Sequence, residues 1–438
     1  MRLLSVCDLH TIRTNPWAYQ FVSNELCETC RRYPEQLPVW EGLQLKVVLT
    51  KNSAIGTDCP YALSLPKAAE KALEGFAVRW DDAAIAAWCD LMLGRGPIAE
   101  LYWDVLEWLM GKYGAEGFAY WGSNHTIRSF CEANGLRSVA LELGPTRLPF
   151  RPSRYCDFMG VNGDSMTRLF DASAFRPLNL RRWRLTGGIS YQAGQGHESM
   201  FNPLTTRWAE NIYGSVKPIA LLILQLDDDS NCLIHSNYSG MLQMVSEVVP
   251  KLVEAGWLVL VKPHPGAAPT KGPAGARQRN IDGHAVVRQF VEERYVNGEV
   301  LWIDDVPADE YVSLLGKIDV AISVNSSMGF EAMLAGKPSV SLGRAPYNIG
   351  DGMPTLDDLL NDRIDRAKYD RYAAQVATVM LRHYLYSVNL LSSPTELSRA
   401  VRRNAVLADA YEAGGVSGLQ KAVIANPVVE IDEADYLD

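Results

Sequence analysis

Three segments in the second half of the chain each pass from a run of apolar residues to polar or charged ones. They are LLILQLDDDS, LVLVKPHP and AISVNSSMGFEAMLAGKP, which end at Ser230, Pro265 and Pro338. Apolar runs of this length predict buried strands of a parallel sheet. Ligands of open α/β sheets bind at the carboxyl ends of the strands. The segments therefore predict one edge with Asp, Lys, His, Ser and Glu side chains, suited to a phosphorylated ligand beside carboxylates.

The Ser326-Ser327 pair stands where a predicted strand passes into a predicted helix. Amide groups at a helix N-terminus carry about half a positive charge, and the serine hydroxyls add further donors for a phosphate. Glu331, about one helical turn further on, can accept hydrogen bonds from ribose hydroxyls. The structural alternative is that Ser327 only caps the helix and that Glu331 is a solvated side chain.

The sequence Lys262-Pro-His264-Pro ends another of these predicted strands. The prolines fix the backbone and stop the strand, so the lysine and the histidine are held in place. Lys262 supplies a positive charge, and His264 can donate to a phosphate oxygen or protonate a leaving group near neutral pH. The structural alternative is a histidine that only bonds within its own turn.

Asp227, Asp228 and Asp229 follow the first predicted strand directly, ahead of Ser230. Like charges at this spacing repel one another, so such a turn costs stability unless a carboxylate has another task. We expect at least one of the three to face the ligand, where it can act on a sugar or hold a divalent cation. A solvated turn that caps the next helix is the structural alternative. His235, just beyond, either lines the same edge or caps a helix.

The first half of the chain offers a further carboxylate. Glu142 lies in the predicted strand 137–144, and Arg147 follows in GPTRLPF. A carboxylate across a cleft from the aspartates is the arrangement that glycosyl chemistry uses, because one group attacks or stabilises the sugar and the other handles the proton. Arg147 is either a bidentate partner for a sugar carboxylate or a surface arginine.

Strand and helix patterns alternate along most of the chain, which is typical of parallel α/β sheets. We predict two doubly wound α/β units, over residues 1–215 and 216–391, followed by closing helices and an acidic tail over residues 392–438. The tail is expected to be frayed. Two such units facing each other predict a deep cleft between them, where a ligand binds.

The formal net charge of the 438-residue chain is −9, which argues against a nucleic-acid-binding protein, since those carry a basic face. No apolar run has the length needed to cross a bilayer, and the N-terminus lacks the apolar core of a secretion signal. The sequence therefore predicts a cytoplasmic protein and leaves open a peripheral contact with the inner membrane.

Eight cysteines are spread along the chain, which favours reduced thiols over disulfides in such a protein. Cys7, His10, Cys27 and Cys30 have spacings that also suit a structural zinc site. Cys27 and Cys30 lie in a helical pattern and Cys7 lies in an apolar strand pattern, so buried thiols are the favoured interpretation and zinc the alternative.

Taken in order, the motifs resemble those of the bacterial capsule-synthesis glycosyltransferases that transfer 3-deoxy-D-manno-octulosonic acid (Kdo) in β linkage. The matching pieces are YWGSN and ALELGPTR, LQLDDDSN followed by HS, VKPHP, VNSSMGFEAMLAGKPSVSLG and LRHYLYSVNLL. The His-Pro and Ser-Ser elements also resemble those of GT-B sialyltransferases, which use a CMP-sugar. The resemblance extends from about Gly117 to Leu391 and is weak over the first hundred residues. Within the group, the chain looks closest to the single-module β-Kdo transferases of O-antigen assembly.

The resemblance implies a GT-B fold, in which two Rossmann-like domains enclose a cleft, and a CMP-Kdo donor bound mainly by the second domain. It implies transfer with retention to a saccharide acceptor, which can be lipid-linked, through a covalent adduct on an aspartate. Asp229 is the first candidate nucleophile and Asp228 the second. The other implied roles are acid/base for Glu142, phosphate binding for His264, Lys262, Ser326 and Ser327, and ribose binding for Glu331.

This chemistry needs no metal ion or cofactor, because CMP leaves readily once its phosphate is neutralised. The transition state at the anomeric carbon of Kdo is cationic, so a nearby carboxylate can stabilise or trap it. Three alternatives stay open: an inverting, sialyltransferase-like enzyme in which the aspartate is only a base, a nucleotide-sugar epimerase, and a non-catalytic glycan-binding subunit.

Overall fold

The computed structural model describes residues 1–7, 17–33, 43–49, 62–74, 80–146, 150–181, 204, 207–268, 275–304, 306, 310–431 and 433–437. Its strands are β1 (Arg2–Ser5), β2 (Gln44–Leu49), β3 (Ala62–Ser64), β4 (Gly117–Trp121), β5 (Arg137–Leu143), β6 (Ser153–Asp157), β7 (Ile219–Ile223), β8 (Leu258–Lys262), β9 (Val300–Trp302), β10 (Val320–Ser323), β11 (Ser339–Ser341) and β12 (Tyr386–Ser387).

The α-helices of the described residues are α1 (Trp17–Arg32), α2 (Lys67–Glu74), α3 (Asp82–Met92), α4 (Pro97–Tyr113), α5 (His125–Ala133), α6 (Ala209–Tyr213), α7 (Ser230–His235), α8 (Met241–Glu254), α9 (Gly275–Arg294), α10 (Tyr311–Lys317), α11 (Ser327–Leu334), α12 (Leu356–Leu360), α13 (Arg366–Thr378) and α14 (Pro394–Ala425). Helices and strands alternate over most of this length, as the sequence predicts.

The first unit is built on a seven-stranded sheet in the order β12-β6-β5-β4-β1-β2-β3. Neighbouring strands from β5 to β3 are parallel, whereas β6 is antiparallel to both β5 and β12. The chain adds β2 and β3 on one side of β1 and then β4 and β5 on the other. This reversal creates a crevice between β1 and β4 at the carboxyl ends of the strands.

The second unit contains a five-stranded parallel sheet in the order β11-β10-β7-β8-β9. Along β7, Ile219, Leu221 and Ile223 face one apolar cluster, and Ala220 and Leu222 face another. A strand that is buried on both faces has a continuous run of apolar residues, and this run is the feature that identifies β7 in the sequence. The strand order reverses between β7 and β10, so this sheet also has a crevice at its carboxyl edge.

Two doubly wound α/β units with facing crevices form the fold that the sequence predicts, and this is a GT-B arrangement. Local signals are also confirmed. Asn124 accepts the Ile127 N–H and caps α5, and Gly135 ends that segment with a φ of +64°, a conformation that glycine adopts without steric cost.

The sequence prediction differs from the structure at several helices. The sequence does not predict α2, α6 or α7, because five to eight residues are too few for a clear periodic pattern. α9 begins at residue 275, inside the stretch 266–280 whose composition predicts a loop. The pattern of residues 369–386 predicts one helix, but α13 ends at Thr378 and a π-helical segment, Val379–Tyr384, follows it before β12.

The acidic tail is expected from its sequence to be frayed, and that prediction is wrong for its described residues. Tyr436 is buried, forms a bridge with Leu178 and accepts a hydrogen bond from Arg382 Nη1 on its hydroxyl. The Leu437 N–H donates to the Pro177 carbonyl over 2.9 Å. An aromatic side chain in an otherwise acidic tail is the sequence signal that points to this docking.

Candidate active site

A cavity of about 420 Å³ lies where the carboxyl edges of the two sheets face each other. The first unit contributes residues that follow β4 and β5, and the second unit contributes residues that follow β7, β8 and β10. The predicted site residues on its wall are Glu142, Asp228, Asp229, His264, Ser326 and Ser327. The structure thus brings together carboxylates, a histidine and a helix N-terminus from both units.

The three aspartates have different surroundings because β7 ends at Ile223 and residues 227–228 form a turn. Asp227 points away from this wall and accepts the Met241 N–H over 2.7 Å. Asp228 is 2 % exposed and accepts from Trp80 Nε1 and Asn280 Nδ2. Asp229 is half-buried at the cavity wall and caps α7 by accepting the Asn231 N–H over 2.9 Å. The capping turn named as the structural alternative is therefore present at Asp229, and the same carboxylate lines the cavity.

His264 has a defined tautomer. Its Nδ1 accepts the Gly266 N–H over 2.9 Å, so in the neutral ring the proton is on Nε2. The bond within its own turn, named above as the structural alternative, also exists. It leaves Nε2 as the donor of this ring, which suits a phosphate oxygen.

Ser326 caps α11, and the Tyr347 hydroxyl donates to the Ser326 carbonyl over 2.7 Å. Asn325, just ahead of it, lines the cavity and accepts a hydrogen bond from Gln225 Nε2 over 3.0 Å. The buried Nδ2 of Asn325 has no hydrogen-bond partner among the described residues. A buried amide donor beside a helix N-terminus adds to the groups that can receive an anion.

Lys262 and Glu331 do not line this cavity. Glu331 is buried and accepts a hydrogen bond from the Tyr311 hydroxyl, so it is not the solvated residue of the structural alternative. Burial lowers the pKa of Lys262, and the charge of Glu331 acts in the opposite direction. Lys262 and His264 both line a neighbouring cavity of about 600 Å³ in the second unit, next to Trp302 and His284.

Glu142 lies near the end of β5, and its Oε1 accepts the Leu143 N–H over 2.8 Å. It is half-buried and lines the same cavity as Asp228 and Asp229. Arg147, the other residue predicted from this region, lies outside the described residues.

Sequence reasoning missed several residues of this wall, among them Trp88, Trp121, Asn162 and Gln225. Trp121 and Gln225 lie at or just after the ends of β4 and β7, so their positions could have been found from the strand pattern. The positions of Trp88 and Asn162 depend on how the first unit packs, which no local pattern reports. The sequence leaves His235 open between two roles, and the structure places it in the wall. Its Nε2 lies 3.6 Å from Asp164 Oδ2, and burial lowers the pKa of this histidine.

Cys7, Cys27 and Cys30 are buried thiols, and His10 lies outside the described residues. In the described ranges, no three His, Cys, Asp or Glu side chains come together as a metal-ligand set. The described helices also include none that combines the length and apolar character needed to cross a membrane.

Residues 183–388 match the family model of capsule polysaccharide biosynthesis proteins. The match covers just under half of the chain and includes the aspartate turn, His264 and the Ser326-Ser327 pair. The chain matches none of the curated proteins.

Among solved structures, the chain is similar to two Thermosulfurimonas dismutans KpsC structures. The β-Kdo 2,7 transferase is 19% identical, with a TM-score of 0.30 over 57% of this chain and 72% of that one. The β-Kdo 2,4 transferase is 18% identical, with a TM-score of 0.36 over 63% and 82%. The Neisseria meningitidis UDP-GlcNAc 2-epimerase is 10% identical, with a TM-score of 0.31 over 93% and 100%. All three TM-scores are below 0.5, so the chemistry has to be argued from the site residues and from the part of the chain that is similar to capsule polysaccharide biosynthesis proteins.

Proposed function

We propose that this protein is a retaining β-Kdo transferase that moves Kdo from CMP-Kdo to a saccharide acceptor during the synthesis of a bacterial surface polysaccharide, a capsule or an O-antigen. The observation that carries the proposal is the composition of the cavity. Carboxylates from both units stand in it together with the Nε2-protonated ring of His264 and the N-terminus of α11.

The donor half of the proposal assigns the phosphate of CMP to the second unit. His264 Nε2, the Ser326 and Ser327 hydroxyls and the first amides of α11 supply donors there, and Lys262 adds charge from the neighbouring cavity. Together they neutralise the departing phosphate, which makes CMP a good leaving group. Glu331 would hold the ribose after giving up or sharing its bond with Tyr311.

The sugar half of the proposal is a double displacement. In the first step an oxygen of Asp229 attacks the anomeric carbon of Kdo, the bond from that carbon to the phosphate oxygen breaks, and CMP leaves with the electron pair. In the second step Glu142 takes the proton of an acceptor hydroxyl, whose oxygen attacks the same carbon and releases the Asp229 carboxylate. Two inversions give retention, and carboxylates that reach one cavity from different units fit these two roles.

The acceptor would enter from the side of the first unit, where Glu142, Trp121 and Trp88 line the cavity. The acceptor is proposed to be a saccharide, which can be lipid-linked and presented at the cytoplasmic face of the inner membrane.

The test is a CMP-release assay with a panel of sugar nucleotides and saccharide acceptors. We expect acceptor-dependent CMP release from CMP-Kdo, a β-linked product by NMR, and no transfer by Asp229→Asn. A protein that turns over another sugar nucleotide but never CMP-Kdo would overturn the donor assignment. Turnover of donor alone to an isomer would favour an epimerase.

A further inference from the structure

A hydrogen-bonded contact between the two units lies directly beside Asp229. Trp80 Nε1 of the first unit donates to Asp228 Oδ2 over 2.6 Å, and Asn280 Nδ2 of α9 donates to Asp228 Oδ1 over 2.9 Å. Asp228 and Asn280 are 2 % and 3 % exposed, so both bonds are shielded from water. A buried carboxylate is tolerated only where donors meet its charge, and here the donors come from both units.

A second contact joins the same surfaces. Arg279, next to Asn280 on α9, lies 2.6 Å from the Asp82 carboxylate at the start of α3. Asp82 is largely exposed and Arg279 is partly exposed, so solvent screens this ion pair and it contributes little by itself. The ion pair shows that α9 lies next to the segment that contains Trp80 and Asp82, and that two neighbouring residues of α9 take part in the contact.

The first unit also contacts the opposite end of α7. Asp164 lies 3.6 Å from His235 Nε2, and a Cβ added to Gly163 would overlap the His235 ring. α3 also contacts α7. The first unit therefore contacts the turn ahead of this short helix, the helix itself and His235 at its end.

Resting on the proposed function, we infer that Asp228 is a positioning residue and not the nucleophile. With Trp80 and Asn280 it fixes the turn ahead of α7, so that Asp229 meets the anomeric carbon only when the two units are together. An attacking carboxylate needs an oxygen directed at the substrate, whereas each oxygen of Asp228 accepts a hydrogen bond from a buried donor. Asp229, by contrast, is half-buried and lines the cavity next to Ser230 and Asn231.

Trp80→Phe tests the contact, because it keeps an aromatic ring and removes the indole N–H. We expect kcat to fall roughly 10- to 100-fold, since a small misplacement of a reacting group has an effect of that size. The KM for CMP-Kdo should change by less than about threefold, because the groups that would bind the phosphate belong to the second unit. Trp108→Phe is the matched control: it removes a half-buried indole N–H on α4, outside the described cavity wall. An unchanged kcat in Trp80→Phe would overturn the inference.

Conservative replacement separates positioning from nucleophilic attack. In Asp228→Asn the new amide can accept from Trp80 with its oxygen and donate to the Asn280 oxygen, once the Asn280 amide turns over. We therefore expect Asp228→Asn to keep kcat within about tenfold of wild type, since neutral hydrogen bonds replace charged ones, and Asp228→Ala to lose much more. Loss of all transfer in Asp228→Asn, in a protein that still binds CMP normally, would identify Asp228 as the reacting group and contradict the inference.

Hydrogen exchange keeps this inference separate from the proposed function. In Trp80→Phe the amides of Cys232 and Leu233, which donate to the Asp229 carbonyl, should exchange faster than in wild type and in Trp108→Phe. This result needs no donor sugar. If the wild-type protein does not turn over CMP-Kdo, the proposed function fails, while faster exchange still supports the contact and unchanged exchange refutes it.

Discussion

His264 combines two hydrogen-bonding tasks in one side chain. Its Nδ1 accepts the Gly266 N–H and so holds the turn Pro265–Ala267, which leaves Nε2 to donate. The first task is structural and the second is the proposed contact with phosphate. Because the two tasks use different ring atoms, they can be removed separately.

His264→Asn should retain the turn and lose the chemistry. An asparagine oxygen can replace Nδ1 as the cap acceptor, but no donor remains at the position of Nε2. We expect a transfer rate lower by roughly 10²- to 10³-fold, as for the loss of one hydrogen-bond donor to a developing anion, with the unfolding free energy within about 0.5 kcal/mol of wild type. CMP release and urea unfolding measure the two effects. His264→Ala should lose both, and wild-type kcat in His264→Asn would contradict the role of Nε2.

The sequence predicts the position of a polar side chain well where its motif lies at the carboxyl end of a strand. Asp229, His264 and Ser326 each come within six residues of the end of a buried strand, so their common edge follows from the sequence alone. Trp80 and His235 cannot be assigned in this way. Their positions depend on the packing of one unit against the other. The residues that this packing brings together are far apart in the sequence, as Trp80 and Asp228 are.

Among the elements, α11 depends on a close approach at Gly329. A Cβ there would overlap the Tyr347 hydroxyl and crowd Ser339 Oγ. The same hydroxyl donates to the Ser326 carbonyl, so the packing of Tyr347 against α11 and the position of the helix N-terminus are linked. In the motif SSMGFEAMLAGKP, Gly329 therefore serves the packing of α11, whereas Ser326, Ser327 and Glu331 have proposed roles in ligand binding.

Gly329→Ala should weaken both the fold and donor binding. We expect the unfolding free energy to fall by about 1–3 kcal/mol, the usual effect of overpacking a buried site, and the KM for CMP-Kdo to rise. Gly111→Ala is the control, because nothing lies within 4 Å of an added Cβ on that helical residue. It should stabilise the protein slightly, since alanine favours the helix. Equal unfolding curves for the two variants would refute the link through Tyr347.

At the scale of the whole molecule, the chain returns from the second unit to the first. β12 pairs with β6, α14 packs against β5 and β6, and Tyr436 near the end is buried. Tyr384, just ahead of β12, donates to Asp157 Oδ2 over 2.7 Å. The sequence predicts closing helices after residue 391 but not the pairing of β12 with the first sheet, because a two-residue strand carries no periodic signal.

The Asp157 carboxylate at this junction should make stability depend on pH. Complete burial raises its pKa from 3.8 to about 6, in spite of the hydrogen bonds it accepts. The folded state therefore binds this proton more tightly than the unfolded state does, so stability falls as the pH rises from about 4 through about 6. At 1.36 kcal/mol per pH unit, the loss is up to about 3 kcal/mol.

Urea unfolding of wild type and Asp157→Asn between pH 4 and pH 7 measures this effect, because the contributions of other groups cancel in the difference between the two proteins. The unfolding free energy of wild type should fall relative to the variant across this range. A difference that stays constant with pH would show that Asp157 keeps its ordinary pKa.

In the proposed reaction Asp229 forms a covalent bond to the sugar in a cavity shared by both units. The mass of the Glu142→Gln protein after mixing with CMP-Kdo, followed by peptide mapping, tests for this bond. Without the group that activates the acceptor, the adduct should accumulate as one Kdo per chain, located on Asp229. Transfer by wild type with no adduct on Glu142→Gln, or an adduct on a different residue, would contradict the account.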